Sequence, residues 1–222
     1  ISNQRHLEAQ LRQQLEFEQE LVGIVSHDLR SPIQVISLSA RLASAAVSDP
    51  RPLSLLARIT NSADRLGRMV NDLLDVTRAR FVGGIPVSPA ETDLANVVAE
   101  VVQDARAAHP QRSFVVAADG PCVGFWDPDR LSQVFQNLLG NALTHGDGLA
   151  PVTVRLRCAG DRVVVDVHNL GPPIPQALLG DIFRPFRSSQ RRARDDGGGL
   201  GLGLYIVESI VRAHGGAISV TS

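Results

Sequence analysis

The chain has 222 residues, a formal net charge of −1 and a hydrophobic fraction of 44%. This length suits one large or two small domains with cores of their own, and the small charge gives no overall attraction to nucleic acid or to an anionic membrane. All 22 basic residues are arginine, which excludes mechanisms that need a lysine as Schiff base, general base or P-loop phosphate anchor.

No apolar stretch is long enough to cross a bilayer, and no signal-peptide pattern is present. Cys122 and Cys158 lack the spacing of a metal site, and their apolar neighbours favour two buried, reduced thiols. We therefore predict a cytoplasmic location for this segment. A soluble and a membrane-anchored full-length protein are both compatible with it.

Two amphipathic helices are predicted at the start of the chain. Residues 1 to about 46 carry apolar positions at three- and four-residue spacing, as in a coiled-coil seam, and this helix has no cap of its own, which suggests an upstream domain. The turn residues of 48–52 end it, and a second helix follows through Leu56, Ile59, Leu66 and Leu73. A short loop between two such helices predicts an antiparallel hairpin.

One hairpin leaves an apolar stripe uncovered, so we predict a homodimer in which residues 1–80 form a four-helix bundle. Glycine and proline over 83–89 mark a change in pattern. The expected organisation is a coiled coil and hairpin over 1–82, a linker over 83–92 and an α/β domain over 93–222.

The α/β domain is predicted from caps and apolar runs. Asp93 is the predicted N-cap of a helix ending near Ala108, and Asp127-Pro128 opens another. A last helix is expected over 202–214. Strands are expected at 113–118, 122–126, 152–157, 162–168 and 217–220, with a hairpin turn at Gly160-Asp161.

The first helix sets His27 beside Asp28 on the face opposite its apolar stripe, and Ser31 shares that side. Pro32 lacks an N–H and loosens the helix one turn past His27. An exposed histidine in a turn is the alternative for such a pair considered alone.

Polar residues mark three further places in the α/β domain. Asn137 and Asn141 lie four residues apart on one helix face, although such amides could simply cap neighbouring loops. The turn from Asn169 to Pro175 would bring backbone close to a flat ligand. The aromatic stretch 183–186 precedes an arginine-rich run over 188–196, which is either a polyphosphate contact or a solvated loop.

Glycines over 197–203 lead directly into the last helix, where backbone N–H groups and the helix dipole would favour phosphate. Considered alone this is weak, because the strand of a Rossmann unit and the Gly-Lys-Ser/Thr of a P-loop are both missing.

Together and in this order the segments resemble the sensor histidine kinases of two-component signalling. His27 lies in what resembles the H box and Asn137 to Asn141 the N box, while Phe183 to Phe186 resembles the F box. Asn169 to Ile174 and Gly199 to Leu204 resemble the two glycine boxes. The resemblance extends from about residue 15 to the end of the chain.

This resemblance implies a dimeric phosphoacceptor hairpin followed by an α/β sandwich that binds ATP and Mg²⁺. It makes His27 the nucleophile, Asp28 its proton acceptor or orienting group, and Asn141 the Mg²⁺ ligand. A response-regulator receiver domain would take the phosphoryl group, and no nucleic acid is expected as a partner. The implied nucleotide-binding residues are Asn137, Asn141, His145, Asn169, Gly171, Ile174, Phe186, Gly199, Gly201, Leu202, Gly203 and Leu204.

Several positions depart from the family. Asn169 replaces an aspartate and Pro173 a glycine. An asparagine oxygen can also accept from the adenine amino group but without charge assistance, so adenine recognition should survive in a weakened form. Thr144 stands where a phosphate-contacting lysine is often found, and Ser31 where a Thr or Asn orients water for phosphatase action. The family's closing strand is not seen after residue 220, so we expect a strand beyond the given residues.

Three functions remain open at this point. The first is an active histidine autokinase. The second is a catalytically weak or phosphatase-biased signalling scaffold with an impaired nucleotide site around Asn169. The third is an ATPase of the wider superfamily, which would not need the hairpin that carries His27.

Overall fold

A computed structural model describes residues 33–45, 50–81, 84–160, 162–186 and 200–222. The chain divides into two compact units, Ile1–Gly84 and Ile85–Ser222. The predicted fold class is confirmed, since a helical hairpin is followed by a mixed α/β domain.

The first unit contains helix α1, helical over 33–45, and helix α2, Pro50–Phe81. The two helices run antiparallel, because Ile33 lies beside Gly67 while the later Ser37 and Arg41 reach back to Asp64. Proline in the first turn of α2 is tolerated because the first N–H groups of a helix have no intrahelical partner. The predicted hairpin is confirmed.

A polar cluster links α1 to α2. The Ser37 hydroxyl donates to Asp64 Oδ1 (2.7 Å) and the Arg41 guanidinium to Asp64 Oδ2 (2.9 Å). The hydrogen bond from Ser37, followed by the charge of Arg41, holds the pKa of Asp64 below its usual value against the opposing effect of burial. Because both carboxylate oxygens are engaged across the helix pair, the cluster favours a single register of the hairpin.

Asp72 on α2 provides a prediction about stability. Burial and the adjacent charge of Asp75 raise the pKa of Asp72 to about 6 from its ordinary value of 3.8. The folded state therefore binds this proton more tightly than the unfolded state, and stability falls as the pH rises from about 4 through 6. Partial exposure reduces the effect, so Asp72→Asn should stabilise the hairpin by about 1–2 kcal/mol at neutral pH.

Urea unfolding of wild type and Asp72→Asn at about pH 5 and about pH 7.5 measures this effect. The variant's advantage should be present at the higher pH and shrink at the lower one. Asp104→Asn, which alters an exposed aspartate elsewhere, is the matched control. An advantage of equal size at both pH values would contradict the prediction.

The second unit contains two small sheets. Strand β1, Ala90–Asp93, pairs antiparallel with β3, Val123–Trp126. In the other sheet β4, Val152–Ala159, lies between a parallel β2, Phe114–Ala118, and an antiparallel β5, Arg162–His168. Successive side chains of β4 and β5 point to opposite faces of the sheet. One face is directed towards the helices and the other towards solvent.

Helix α3, Leu94–Ala108, begins at Asp93, whose side chain accepts from the Ala95 N–H (3.0 Å). Helix α4, Pro128–His145, begins at Asp127 with proline in its first turn. Both predicted caps are therefore confirmed. A short helix α5, Gln176–Leu179, and helix α6, Gly203–Ala213, complete the unit.

The core of this unit lies between the helices and the inner face of the three-stranded sheet. Helix α4 packs between α3 and α6 and also contacts β4 and β5. Branched aliphatic side chains make up most of this interior. The most deeply buried of them are Val98, Val102, Val152, Val154, Leu156, Leu202, Ile206, Val207 and Ile210.

Three expectations need correction. The segment 83–92, interpreted as a linker, contains β1, because backbone pairing with β3 overrides its polar sequence. The strand expected at 217–220 is not formed, since these residues have no ladder partner in the described part of the chain. Helix α5 follows Pro175 and was not predicted.

The prediction of two separate reduced thiols is also wrong. Cys122 and Cys158 are joined in a disulfide, with their Cα atoms 5.8 Å apart. Cys122 immediately precedes β3 and Cys158 lies near the end of β4, so the bond links the two sheets. Pairing of β4 with β2 brings together cysteines that are distant in sequence.

Candidate nucleotide-binding site

Helix α4 carries the two asparagines predicted to bind nucleotide. Its buried face is formed by apolar residues such as Leu139, whereas Asn137 and Asn141 are half-buried on the side that contains α6. A Cβ atom added at Gly203 would lie only 3.1 Å from Asn137 Oδ1. The first turn of α6 therefore approaches α4 closely at the predicted site.

The loops after α4 and β5 meet at the end of the site. The Asp147 N–H donates to the Leu170 carbonyl (2.6 Å). A Cβ atom added at Gly171 would lie 2.6 Å from the His145 carbonyl oxygen and 3.2 Å from Gly146 Cα. Glycine at 171 is thus required by a close backbone approach, and the side chain of His145 itself is exposed.

Asn169, the expected adenine contact, lies in the loop that follows β5. Its Nδ2 makes a long contact of 3.5 Å with the Leu170 carbonyl. The nearby carbonyl favours the amide orientation in which Nδ2 faces the protein and Oδ1 is the atom left for a ligand. An acceptor at this position matches the exocyclic amino group of adenine.

The aromatic stretch and the glycine-rich stretch are joined by their backbones. The Phe186 N–H donates to the Gly201 carbonyl (3.0 Å), and both residues have positive φ, 62° and 71°. Phe186 has a Cβ atom, so this φ destabilises its backbone by about 1 kcal/mol, and contacts elsewhere in the fold must offset that cost. The Phe186 side chain is exposed, as a residue that covers a ligand would be.

The remaining predicted residues occupy different environments. Leu202 is 1% exposed, so its side chain belongs to the core and only its backbone can face a ligand. Leu204 is half-buried in the first turn of α6. Ile174 is exposed, and its N–H donates to Ser222 Oγ (2.7 Å).

Some predicted residues lie outside the described part of the chain. They are His27, Asp28, Ser31 and Gly199. The part that is described contains no group of three His, Cys, Asp or Glu side chains able to hold a metal ion. A single amide oxygen such as that of Asn141 suits Mg²⁺ when phosphates and waters supply the other ligands.

Sequence reasoning missed Gly146, whose lack of a side chain permits the close approach of the two loops, and Leu170, whose carbonyl accepts from the Asp147 N–H. Gly146 is the C-cap of α4 and its N–H donates to the Ala142 carbonyl, so a glycine directly after a predicted helix was the available signal. Leu170 contributes through its carbonyl oxygen, which no side-chain pattern reveals.

A helical hairpin is thus followed by a mixed α/β domain in which Asn137 of α4 lies against the first turn of α6. The family profile described as "His Kinase A (phospho-acceptor) domain" matches residues 17–81. The profile described as "Histidine kinase-, DNA gyrase B-, and HSP90-like ATPase" matches residues 126–222. The chain belongs to the sensor histidine kinases of two-component signalling.

Individual proteins are similar to most of this chain. A bacteriophytochrome of Pseudomonas aeruginosa is 38% identical over 91% of this chain and 28% of its own length. Full-length ShkA in complex with AMPPNP superimposes with a TM-score of 0.70 at 27% identity, covering 91% of this chain and 42% of that one. Histidine kinase ThkA in complex with response regulator TrrA superimposes with a TM-score of 0.56 at 26% identity, covering 92% of this chain and 57% of that one.

The chain spans less than half the length of the first curated relatives that it matches. None of the helices in the described residues combines the length and the apolar character needed to cross a membrane.

Proposed function

We propose that this chain is the kinase portion of a sensor histidine kinase, which uses ATP and Mg²⁺ to phosphorylate His27 and passes the phosphoryl group to an aspartate of a response regulator. The observation that carries the proposal is the meeting of separate segments along the second half of α4. Asn137 lies against Gly203, and the Leu170–Gly171 loop lies against the end of α4.

The transfer step needs a nucleophile and a proton acceptor. A ring nitrogen of His27 would attack the γ-phosphorus, the bond from that phosphorus to the ADP oxygen would break, and Asp28 would accept the imidazole proton or hold the reactive tautomer. Positioning and charge neutralisation dominate such reactions, because the transition state has little covalent bonding to the protein.

The second unit would hold the nucleotide through complementary parts of the site. Asn141 would ligate Mg²⁺, which spreads the negative charge of the phosphates, with Asn137 and His145 nearby. Backbone N–H groups of 199–204 at the start of α6 would face the phosphates, with the helix dipole favouring negative charge. Phe186 would cover the nucleotide and Asn169 would accept from adenine.

The partners follow from the relatives and from the surface of the hairpin. The response-regulator partner is supported by the ThkA–TrrA complex. Homodimerisation through residues 1–80 is supported by large apolar side chains exposed on both helices, including Ile36, Leu42, Ile59, Leu66 and Leu73. An upstream sensor domain and a cytoplasmic location, where the Cys122–Cys158 disulfide would be exposed to reductants, complete the proposal. Ser31 is the candidate for orienting water in the phosphatase reaction.

Incubation with γ-labelled ATP and Mg²⁺ tests the proposed activity. Wild type should take up acid-labile, base-stable label, as expected of a phosphohistidine. His27→Gln removes the nucleophile and should abolish labelling while leaving ATP binding unchanged. Label that persists in His27→Gln would show that another residue is the acceptor.

Asn169 gives a prediction about affinity. An aspartate would accept from the adenine amino group with charge assistance, which strengthens a hydrogen bond by about 1 kcal/mol. Asn169→Asp should therefore tighten ATP binding about fivefold, as measured by calorimetry. Asn169→Ala, which removes the acceptor, is the control and should weaken binding. Weaker binding by Asn169→Asp would mean that the Nδ2 contact with Leu170 matters more than the added charge.

The second candidate function is a weak or phosphatase-biased signalling scaffold, and the neutral Asn169 is the observation that favours it. Calorimetry with ATP separates the two candidates, because an active kinase should bind in the micromolar range and turn over. Undetectable ATP binding by wild type, together with receiver-domain dephosphorylation, would support the scaffold.

A further inference from the structure

Asp127 is bonded to three different segments of the second unit. Its Oδ2 accepts from the Ser88 N–H (2.8 Å) and its Oδ1 from the Arg130 N–H (3.0 Å). Its own N–H donates to His214 Nε2 (3.0 Å). Asp127 is only 8% exposed, so these bonds are largely shielded from water. The start of α4, the segment before β1 and the end of α6 therefore meet at one residue.

The hydrogen bonds of His214 fix its tautomer. A backbone N–H can only donate, so Nε2 must be the unprotonated, accepting nitrogen towards Asp127. Nδ1 lies 2.9 Å from the Ile210 carbonyl oxygen, which can only accept, so Nδ1 carries the proton. The neutral ring thus links the last turn of α6 to the residue that caps α4.

Helices α4 and α6 run antiparallel, and they are in contact at both ends of α6. At one end His214 is bonded to Asp127, and at the other Gly203 lies against Asn137 Oδ1. A helix of this length is rigid and spans about 16 Å. An axial shift at His214 would therefore move the glycine-rich start of α6 by a similar distance relative to Asn137 and Asn141.

We propose that Asp127 and His214 are positioning residues that set the register of α6 along α4, and thereby hold the backbone N–H groups at the start of α6 where they meet nucleotide phosphates. This inference rests on the proposed nucleotide binding. The carboxylate bonds to Ser88 and Arg130 keep Asp127 itself in place. The adenine contact at Asn169 follows β5 and does not depend on the register of α6.

The proposal predicts a loss confined to the phosphate part of the ligand. His214→Leu removes both ring nitrogens, and it should weaken binding of a magnesium complex of a non-hydrolysable ATP analogue about five- to tenfold, the effect of one lost hydrogen bond. Binding of adenosine, which has no phosphates, should stay within about twofold of wild type. Calorimetry suits the analogue, and an NMR titration suits the weaker adenosine.

His214→Gln is the conservative variant, because its amide oxygen can still accept from the Asp127 N–H. It should recover most of the affinity for the analogue. Asp127→Ala keeps the backbone N–H that donates to His214 but removes the carboxylate that accepts from Ser88 and Arg130, so the residue is no longer held in place and the variant should show a smaller loss of the same selective kind. The double variant Asp127→Ala/His214→Leu should lose less than the sum of the two single variants.

The outcomes separate this inference from the proposed function. Equal losses for the analogue and for adenosine, or no loss for either, would overturn the positioning role. Leu156→Ala, which removes a fully buried side chain of β4 and leaves Asp127 and His214 unchanged, controls for loss of stability and should leave the analogue's affinity unchanged at a temperature where it is folded. Failure of wild type to bind the analogue would overturn the proposed function itself.

Discussion

Alanine at Gly171 should weaken ATP binding about 10- to 100-fold. The added Cβ would lie 2.6 Å from the His145 carbonyl oxygen and 3.2 Å from Gly146 Cα. Both neighbours are backbone atoms, so no rotamer change can relieve the contact. The loops must separate, which breaks the bond from the Asp147 N–H to the Leu170 carbonyl and displaces Asn169.

Gly180→Ala is the matched control for this substitution. Gly180 follows α5 with φ of −71°, and a Cβ atom there would meet nothing within 4 Å. Calorimetric titration with ATP should therefore distinguish the two alanine variants, and thermal unfolding should show a loss for Gly171→Ala alone. Unchanged affinity in Gly171→Ala would mean that the loops around Gly171 do not shape the nucleotide site.

The elements of the second unit that could be predicted from sequence are those with strong local signals. Asp127-Pro128 combines a capping side chain with a residue suited to the first helical turn, and α4 begins there. The hairpin predicted between β4 and β5 is confirmed by the pairing of the two strands, and Gly160 has the positive φ of 63° that such turns favour, while Asp161 lies outside the described residues.

The elements that were missed depend on tertiary context. Strand β1 consists of Ala90, Glu91, Thr92 and Asp93, which have neither alternation nor strong strand propensity, and it forms because β3 offers a ladder partner. The strand expected at 217–220 illustrates the converse, since an alternating sequence does not form a strand without a partner. The apolar periodicity of a sequence describes a single segment, whereas a strand forms only when a second segment pairs with it.

The site was predicted through family resemblance, not through local pattern. Asn137 and Gly203 are far apart in sequence, and only the antiparallel packing of α4 on α6 brings them together. The bond between His214 and Asp127 has the same origin. A histidine after an amphipathic helix and an aspartate before a proline suggest separate caps, and nothing in the sequence indicates that they are bonded to each other.

Reduction of the Cys122–Cys158 disulfide should lower the free energy of unfolding of the second unit by about 3–4 kcal/mol. The bond closes a loop with a sequence separation of 36, and opening it returns conformational entropy to the unfolded chain. The loss is a large fraction of the stability of an ordinary domain, so a reducing cytoplasm would leave this unit marginally stable unless ligand binding compensates.

Urea unfolding of oxidised wild type, wild type with a phosphine reductant, and Cys122→Ala/Cys158→Ala measures the effect. The reduced protein isolates the bond from the change of side chain, while the double variant adds a small cavity, because Cys122 is 1% exposed. Wild type should unfold at clearly lower urea after reduction, and the double variant should not respond to the reductant. An unchanged unfolding midpoint of wild type after reduction, with both thiols shown to be free by alkylation, would mean that the bond does not stabilise this fold.

A saturating ATP analogue should raise the urea midpoint of the reduced protein, because a ligand that binds only the folded state opposes unfolding whatever the state of the cysteines.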